Sequence, residues 1–170
     1  MELGDRLAVL LATSFHLSYI PSKFPGTAPW RRRMEQKGWT GAGLIGTLVG
    51  LALVPLVPSS SGAQAVFLAA ALCAAIFLCG RAEKALGVHD DPRIVLDEIV
   101  GFWTTVAFLP RSGALLAAGF VLFRVLDAAK WPPYGWLARL PTGAGVVMDD
   151  VGAGICANVV LRMLTAYGTL

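Results

Sequence analysis

The carboxylates of this chain are concentrated in three clusters, and apolar stretches separate the clusters from one another. Seven of the eleven Asp and Glu residues lie between Asp90 and Asp150, grouped at 90–98, at 127 and at 149–150. An ionisable group is costly inside a bilayer, so a sequence that keeps such groups beside apolar stretches is expected to use them. The pattern predicts a reactive site at a membrane surface.

The composition is that of a membrane protein. Hydrophobic residues make up 56% of the chain, charged residues 15%, and the mean hydropathy is +0.66, which lies outside the usual balance of a soluble domain. The net charge of +3 is too small and too dispersed to indicate a nucleic-acid partner. The three cysteines form no C-x-x-C pair, so neither a disulfide framework nor a zinc site is indicated.

The apolar segments predict an all-α membrane protein. Segments 43–57 and 63–80 flank a polar turn at 58–62 and indicate a helical hairpin. We expect a second pair at 92–110 and 113–130, with Pro92 in the first turn so that Asp97 and Glu98 fall in the second. A last span is expected at 151–167, with Asp149 and Asp150 at its positive N-terminal end. The expected fold is a single domain over residues 1–170, a compact bundle of about four transmembrane helices.

The N-terminal region, residues 1–40, is expected to lie at the membrane interface. The apolar run Leu7–Ile20 is only 14 residues long, contains His16 and is ended by Pro21. It is therefore too short for an ordinary span and is typical of an interfacial or re-entrant segment. A signal peptide is not expected, because acidic residues precede the run and no A-x-A-like cleavage site follows it.

Basic residues predict the orientation. If the turns at Ser59 and Arg111 and the C-terminus share one side of the membrane, twelve of the fourteen Lys and Arg residues fall on the other side. Only Arg111 and Arg162 do not. The positive-inside rule makes the richer side cytoplasmic, and all three acidic clusters lie there too.

Four charged motifs closely resemble those of the bacterial phosphatidylglycerophosphatase A family. They are residues 87–91 (GVHDD), 94–101 (IVLDEIVG), 123–130 (FRVLDAAK) and 143–154 (GAGVVMDDVGAG). Order and spacing match across residues 81–160. The resemblance implies a magnesium-dependent, multi-pass enzyme of the bacterial inner membrane. It would hydrolyse the lipid phosphatidylglycerophosphate to phosphatidylglycerol and phosphate in phospholipid biosynthesis, with its active site facing the cytoplasm.

The chain departs from the family pattern in two places. The family's Pro-Gly-Thr-x-Gly-Ser element is represented only by Pro25-Gly26-Thr27, with a second partial match at Gly46-Thr47 inside the first span. The usual Lys-Pro-x-Pro sequence is replaced by Lys130-Trp131-Pro132-Pro133. The first change leaves the role of the split element open, whereas the second alters a loop and retains the charged residues.

Phosphate ester hydrolysis requires neutralisation of a dianion and help for a poor leaving group. Carboxylates that hold a hard cation supply much of this, and Mg²⁺ prefers oxygen ligands and keeps several waters. The candidate Mg²⁺ ligands are Asp97, Glu98, Asp149 and Asp150. Neighbouring residues on a helix point about 100° apart, so both members of a pair need not bind one ion.

Three residues at intervals of three, Arg124, Asp127 and Lys130, are expected to share a helix face. Arg124 and Lys130 are the candidate phosphate contacts, since a guanidinium fork matches phosphate oxygens and an ammonium is a point charge. Asp127 would orient them, bind metal, or act as base or nucleophile. The alternative is an ion-pair ladder that serves the helix alone. His89 and Asp90 complete the catalytic candidates, His89 through proton transfer, although a lone loop histidine is more often structural.

The sequence leaves other interpretations open. Cys156 and Arg162 have the C-x5-R spacing of cysteine-dependent phosphatases, but that signature requires a phosphate-binding loop, and these residues fall in an apolar helix. The glycines at 143–145 would serve either as a phosphate cradle or as helix packing. A non-enzymatic lipid-binding or assembly protein is the alternative function. The D-x2-D-G-x2-A-R pattern of alcohol phosphotransferases is absent, and the sequence does not determine the oligomeric state.

Overall fold

A computed structural model describes residues 1–20, 41–88, 91–130, 132 and 134–168 of the chain. Its α-helices are α1 (Leu3–Ala12), α2 (Ala42–Ala52), α3 (Ser61–Leu86), α4 (Leu96–Thr105), α5 (Gly113–Ala129) and α6 (Gly143–Ala166). Short 3-10 turns lie at Leu17–Tyr19, Val54–Leu56 and Tyr134–Arg139. No strand occurs in the described residues, so the predicted all-α class is confirmed.

Two helices, α3 and α6, are long and apolar enough to cross a membrane by length and composition. They contain 26 and 24 residues, or about 39 and 36 Å at 1.5 Å per residue. The described part of α2 is apolar but has only 11 residues. The predicted number of about four membrane spans therefore stays a prediction.

Helix α6 lies at the centre of the bundle and packs against α3, α4 and α5. Glycines permit its close approach to α4: a Cβ atom on Gly101 would lie 2.8 Å from the Phe123 ring and 3.0 Å from the Asp150 carbonyl oxygen. Gly154 in turn faces the Gly101 carbonyl. This contact brings the acidic start of α4 beside the acidic turn of α6.

Helix α4 begins four residues later than the sequence suggested. It starts at Leu96, not at Pro92, so Asp97 and Glu98 lie in its first turn. The preceding residues form a separate turn, in which the Asp91 carboxylate accepts the Arg93 backbone N–H at 2.9 Å. The Val95 N–H is donated to the Ala12 carbonyl at the end of α1, at 2.8 Å. These competing hydrogen bonds prevent an earlier helical start.

Helix α6, by contrast, begins earlier than expected. It starts at Gly143, so Asp149 and Asp150 are its seventh and eighth residues and do not lie at its N-terminus. The predicted stabilisation by the helix dipole is therefore wrong for these two carboxylates, because that effect is confined to the first turn. Gly143 lies directly against Gly80 and the Ile76 carbonyl, which favours the packing interpretation of the 143–145 glycines.

The N-terminal segment is a helix followed by an unusual turn. Helix α1 begins at Leu3 and buries Ala8, Val9 and Ala12, while Asp5 forms a 2.6 Å ion pair with Arg81 of α3. Three successive residues, Ser14 to His16, then adopt left-handed conformations with φ of 49°, 57° and 63°. The interfacial location of this segment stays a prediction, and residues 21–40, with Pro25-Gly26-Thr27, lie outside the described residues.

The helix ends gather at two opposite ends of the bundle. At one end, Arg111 donates to the Pro58 carbonyl at 2.8 Å and Arg162 donates to the Ala107 carbonyl at 3.1 Å. The acidic residues of α4 and α6 lie toward the other end. We call these the turn end and the acidic end. The arrangement agrees with the common-face topology, and which end is cytoplasmic stays a prediction.

Candidate active site

Three carboxylates meet at the acidic end. Asp97 and Glu98 come from the first turn of α4, and Asp150 comes from α6. One oxygen from each lies within 4.8 Å of the others. Asp97 and Asp150 are buried, with 7% and 5% of their surfaces exposed, and Glu98 is half-buried. Three carboxylates this close repel one another strongly unless a cation or protons compensate them.

The donor set of these carboxylates fits a hard divalent cation. Glu98 Oε2 and Asp150 Oδ2 are buried and have no hydrogen-bond partner among the residues that the structure describes, although buried polar atoms in native proteins are normally satisfied. Carboxylate oxygens are the ligands that Mg²⁺ prefers. Of the predicted ligands, Asp97, Glu98 and Asp150 are therefore brought together around a suitable position.

The fourth predicted ligand, Asp149, faces a different group. Its Oδ2 lies 2.9 Å from Lys130 Nζ, because adjacent residues of a helix point in different directions. Lys130 itself caps α5 in a left-handed conformation, with φ of 41° and ψ of 48°. Its side chain therefore does not share a helical face with Arg124 and Asp127, as was expected, and it contacts α6 instead.

Arg124 and Asp127 remain on one face of α5 and form a 2.8 Å ion pair. Asp127 also lies close to Asp150. The other side of Arg124 faces α2, where a Cβ atom on Gly43 would lie 3.1 Å from both terminal guanidinium nitrogens and closer still to Glu98 Oε1. Arg124, Asp127 and the three clustered carboxylates thus form one site between α2, α4, α5 and α6, whereas Lys130 pairs with Asp149.

His89 and Asp90, the remaining catalytic candidates, lie outside the described residues, as do Trp131 and Pro133. The neighbouring Asp91 is described and makes a bidentate contact with Arg93: Nε donates to Oδ1 at 2.8 Å and Nη2 donates to Oδ2. Burial opposes ionisation of Asp91, but the hydrogen bonds and charge of Arg93 outweigh it and hold its pKa below the usual value. The Arg93 guanidinium also lies 5.7 Å from the centre of the Tyr19 ring.

Sequence reasoning missed three residues that support this site. Asp91 fixes the turn before α4. Tyr134 donates its hydroxyl to the Leu126 carbonyl at 2.6 Å and packs against Gly152, so it joins the end of α5 to α6. Thr47 contacts Arg124. Asp91 carried a signal as part of a charged motif, and Thr47 as part of the partial match at Gly46-Thr47. Tyr134 carried none, because its contacts are made between separate segments.

The cysteine alternative finds no support in the geometry. Cys156 and Arg162 both lie inside the continuous helix α6, which offers no loop of backbone N–H groups to wrap a phosphate. Arg162 is bound instead to the Asn158 side chain at 2.8 Å and to the Ala107 carbonyl, at the turn end.

Comparison with known proteins agrees with the motifs. The family model described as phosphatidylglycerophosphatase A matches residues 10–165. The chain is 33% identical over 140 residues to phosphatidylglycerophosphatase A of Escherichia coli (strain K12), covering 71% of this chain and 81% of that protein. It is 35% identical over 126 residues to the Haemophilus influenzae protein of the same name, covering 72% and 75%.

A third relative carries a different name. The chain is 29% identical over 168 residues to a putative phosphatidylinositol-3-phosphatase of Bacteroides thetaiotaomicron, covering 96% of both chains. No solved structure matches the chain significantly. The family match extends over nearly the whole chain, including the four motifs and the helices that bring their charged residues together. The chain therefore belongs to the phosphatidylglycerophosphatase A family and is a phosphatase.

Proposed function

We propose that this protein is a Mg²⁺-dependent lipid phosphatase that hydrolyses phosphatidylglycerophosphate to phosphatidylglycerol and inorganic phosphate. It would do so as a multi-pass protein of the bacterial inner membrane, at the cytoplasmic face, in phospholipid biosynthesis. The observation that carries the proposal is the meeting of Asp97, Glu98 and Asp150 beside the Arg124 side chain, with two buried oxygens that have no partner among the described residues.

The cationic residues suit a phosphate monoester. Arg124 presents a planar fork that matches two phosphate oxygens, and Lys130 offers a compact charge. Each is now neutralised by a carboxylate, Asp127 or Asp149. An arriving phosphate dianion would share these donors and displace part of the pairing. The ion pairs thus hold both cations in place before the substrate binds, which reduces the entropy lost on binding.

The carboxylates divide into two roles. Asp97, Glu98 and Asp150 would hold Mg²⁺, and the bound ion would supply charge neutralisation at the transferred phosphoryl group. Asp127 lies between Arg124 and Asp150, where it can accept a proton from attacking water or act as the nucleophile itself. Asp149 keeps the Lys130 ammonium oriented.

The substrate is proposed from the relatives. Two of them carry the name phosphatidylglycerophosphatase A, and a third is named for a phosphoinositide. Both names describe a phosphate monoester on a membrane lipid. The family match and the four charged motifs favour phosphatidylglycerophosphate.

Phosphate release from defined lipids tests this directly. The full-length protein in mixed micelles should release phosphate from phosphatidylglycerophosphate, lose activity when EDTA removes divalent ions, and regain it with added Mg²⁺. Phosphatidylinositol 3-phosphate and phosphatidate serve as competing substrates. Faster hydrolysis of either would change the substrate assignment, and full activity after metal removal would refute the Mg²⁺ site.

Thiol labelling tests the orientation. In a variant without the three native cysteines, a cysteine at Ser60 should react with a membrane-impermeant reagent added outside, and one at Pro141 should react only after the membrane is opened. Ser60 lies at the turn end and Pro141 just before α6 at the acidic end. External labelling at Pro141 would reverse the proposed orientation.

A further inference from the structure

Thr47 is the single polar side chain in the apolar helix α2. It is fully buried, and its hydroxyl donates to the Gly43 carbonyl one turn earlier, at 2.9 Å. With its proton engaged there, the Thr47 oxygen can only accept. The Nη1 group of Arg124 lies 3.4 Å away and is the donor that faces it. A buried hydroxyl oxygen is therefore directed at the candidate phosphate-binding cation.

The contact belongs to a larger arrangement around Arg124. Asp127 on the same helix holds Nη1 at 2.8 Å, and Gly43 leaves space for the guanidinium and for Glu98. Within the described residues, the contacts with Thr47 and Asp127 both use Nη1, so Nη2 and Nε can serve a phosphate. A long arginine side chain loses considerable rotamer freedom when it is fixed, and two acceptors on different helices fix the plane of the fork as well as its position.

We infer that Thr47 is a positioning residue that holds Arg124 in the orientation required for phosphate binding. The inference rests on the proposed role of Arg124 and gives α2 a function in the reaction, although α2 carries no charge. It also gives a role to Gly46-Thr47, which stood out in the sequence only as a partial motif.

Replacement of Thr47 by Val tests the inference, because the two side chains have nearly the same shape. Thr47→Val should lower kcat/KM about 3- to 10-fold, the range of one modest hydrogen bond, mainly through a higher KM. Its Tm should stay equal or rise, since no buried group loses a required partner. Thr47→Ser, which keeps the hydroxyl, should restore most of the activity.

Thr105→Val is the matched control. Thr105 is also fully buried and also donates to a glycine carbonyl one turn earlier, Gly101, at 3.0 Å, but no cation faces its oxygen in the described structure. This variant should keep the wild-type KM. If it raises KM as much as Thr47→Val does, the effect arises from helix packing and the inference fails.

A double-mutant cycle supplies the decisive measurement. In an Arg124→Lys background the guanidinium that Thr47 positions is gone, so Thr47→Val should change kcat/KM less than twofold further. Additive losses would overturn the inference. If Thr47→Val does not fold, Thr47→Ala and Thr47→Ser make the same comparison, because they differ by one oxygen.

Failure of the proposed function would be seen separately. A wild-type protein that does not release phosphate from phosphatidylglycerophosphate refutes the substrate assignment, and the cycle is then run on the lipid that it does hydrolyse. Wild-type activity together with an unchanged KM in Thr47→Val refutes the positioning role alone.

Discussion

Both ends of the bundle contain buried polar groups, but these groups make different contacts at the two ends. At the turn end, Asn158 Nδ2 donates to the carbonyls of Thr105 and Ala107 at 2.8 and 2.9 Å, and Gln64 accepts the Phe108 N–H at 3.2 Å. At the acidic end, charged side chains face one another, and Glu98 Oε2 and Asp150 Oδ2 have no hydrogen-bond partner in the described part of the chain.

At the turn end the polar side chains satisfy the backbone, whereas those at the acidic end are arranged to bind a ligand. Helix α4 ends at Thr105, and the last carbonyls of a helix have no partner within it. In an apolar environment each must be satisfied by other groups. Asn158 donates to the Thr105 carbonyl, and Asn158 and Arg162 both donate to the Ala107 carbonyl just beyond the helix. At the acidic end the Glu98 N–H donates to Asp97 Oδ1 at 3.0 Å, but no backbone contact among the described residues accounts for Glu98 Oε2 and Asp150 Oδ2. These unsatisfied oxygens indicate a ligand, and the predictions below test this comparison.

The largest effect is expected at the three clustered carboxylates. Asp97→Asn or Asp150→Asn keeps the size of the side chain and removes a charge needed for Mg²⁺, so phosphate release should fall roughly a thousandfold or more. Thermal stability should change little or improve, because mutual repulsion decreases. Activity is measured across a Mg²⁺ titration.

Asp5→Asn is the control, since its carboxylate pairs with Arg81 away from the cluster. It should remain close to wild-type activity. If both cluster variants hydrolyse the lipid at near wild-type rates at every Mg²⁺ concentration, the three carboxylates serve packing and the distinction between the two ends disappears.

The turn end should respond in stability. Asn158→Leu leaves the Thr105 carbonyl without its side-chain donor and the Ala107 carbonyl with Arg162 alone, which should cost about 1–3 kcal/mol. The activity of the folded fraction should remain within about twofold, because the site is more than two helical turns away. Thermal unfolding in detergent measures the first quantity and phosphate release the second. Unchanged stability would show that these hydrogen bonds are not needed.

A smaller, pH-dependent effect is expected at Asp91. Its pKa is lowered in the folded protein by Arg93 despite burial, so its ionised form stabilises the fold above the unfolded pKa of about 3.9. That contribution is lost as the pH falls through the lower folded value. The Tm difference between wild type and Asp91→Asn should therefore be largest near neutrality and shrink below about pH 4. A difference that widens in acid would contradict this sign.

Cys156→Ala should have the smallest effect. The thiol lies within α6 and is partly exposed, so the variant should keep phosphatase activity within about twofold, far from the loss that follows removal of a nucleophile. A thousandfold loss in a correctly inserted protein would restore the cysteine mechanism and move the site toward the turn end.

The sequence by itself determined the helical class, the order of the charged motifs and the family. Apolar stretches of this length favour helices, because a helix satisfies its own backbone hydrogen bonds in an apolar environment, and the motif spacing is a property of the chain. The residues Asp97, Glu98, Arg124, Asp127 and Asp150 were all identified in this way, and the structure places them in one site. Their chemical roles remain proposals.

Tertiary contacts decided the boundaries and the partners. Helix α4 starts at Leu96 because Val95 is bound to Ala12, 83 positions earlier in the chain. Asp149 faces Lys130 and not the three clustered carboxylates, because α6 starts at Gly143 and Lys130 turns out of α5. Thr47 meets Arg124 only because glycines let α2 approach the site. The local sequence pattern does not predict these contacts, because each depends on hydrogen bonds and close packing between segments that are far apart in the sequence.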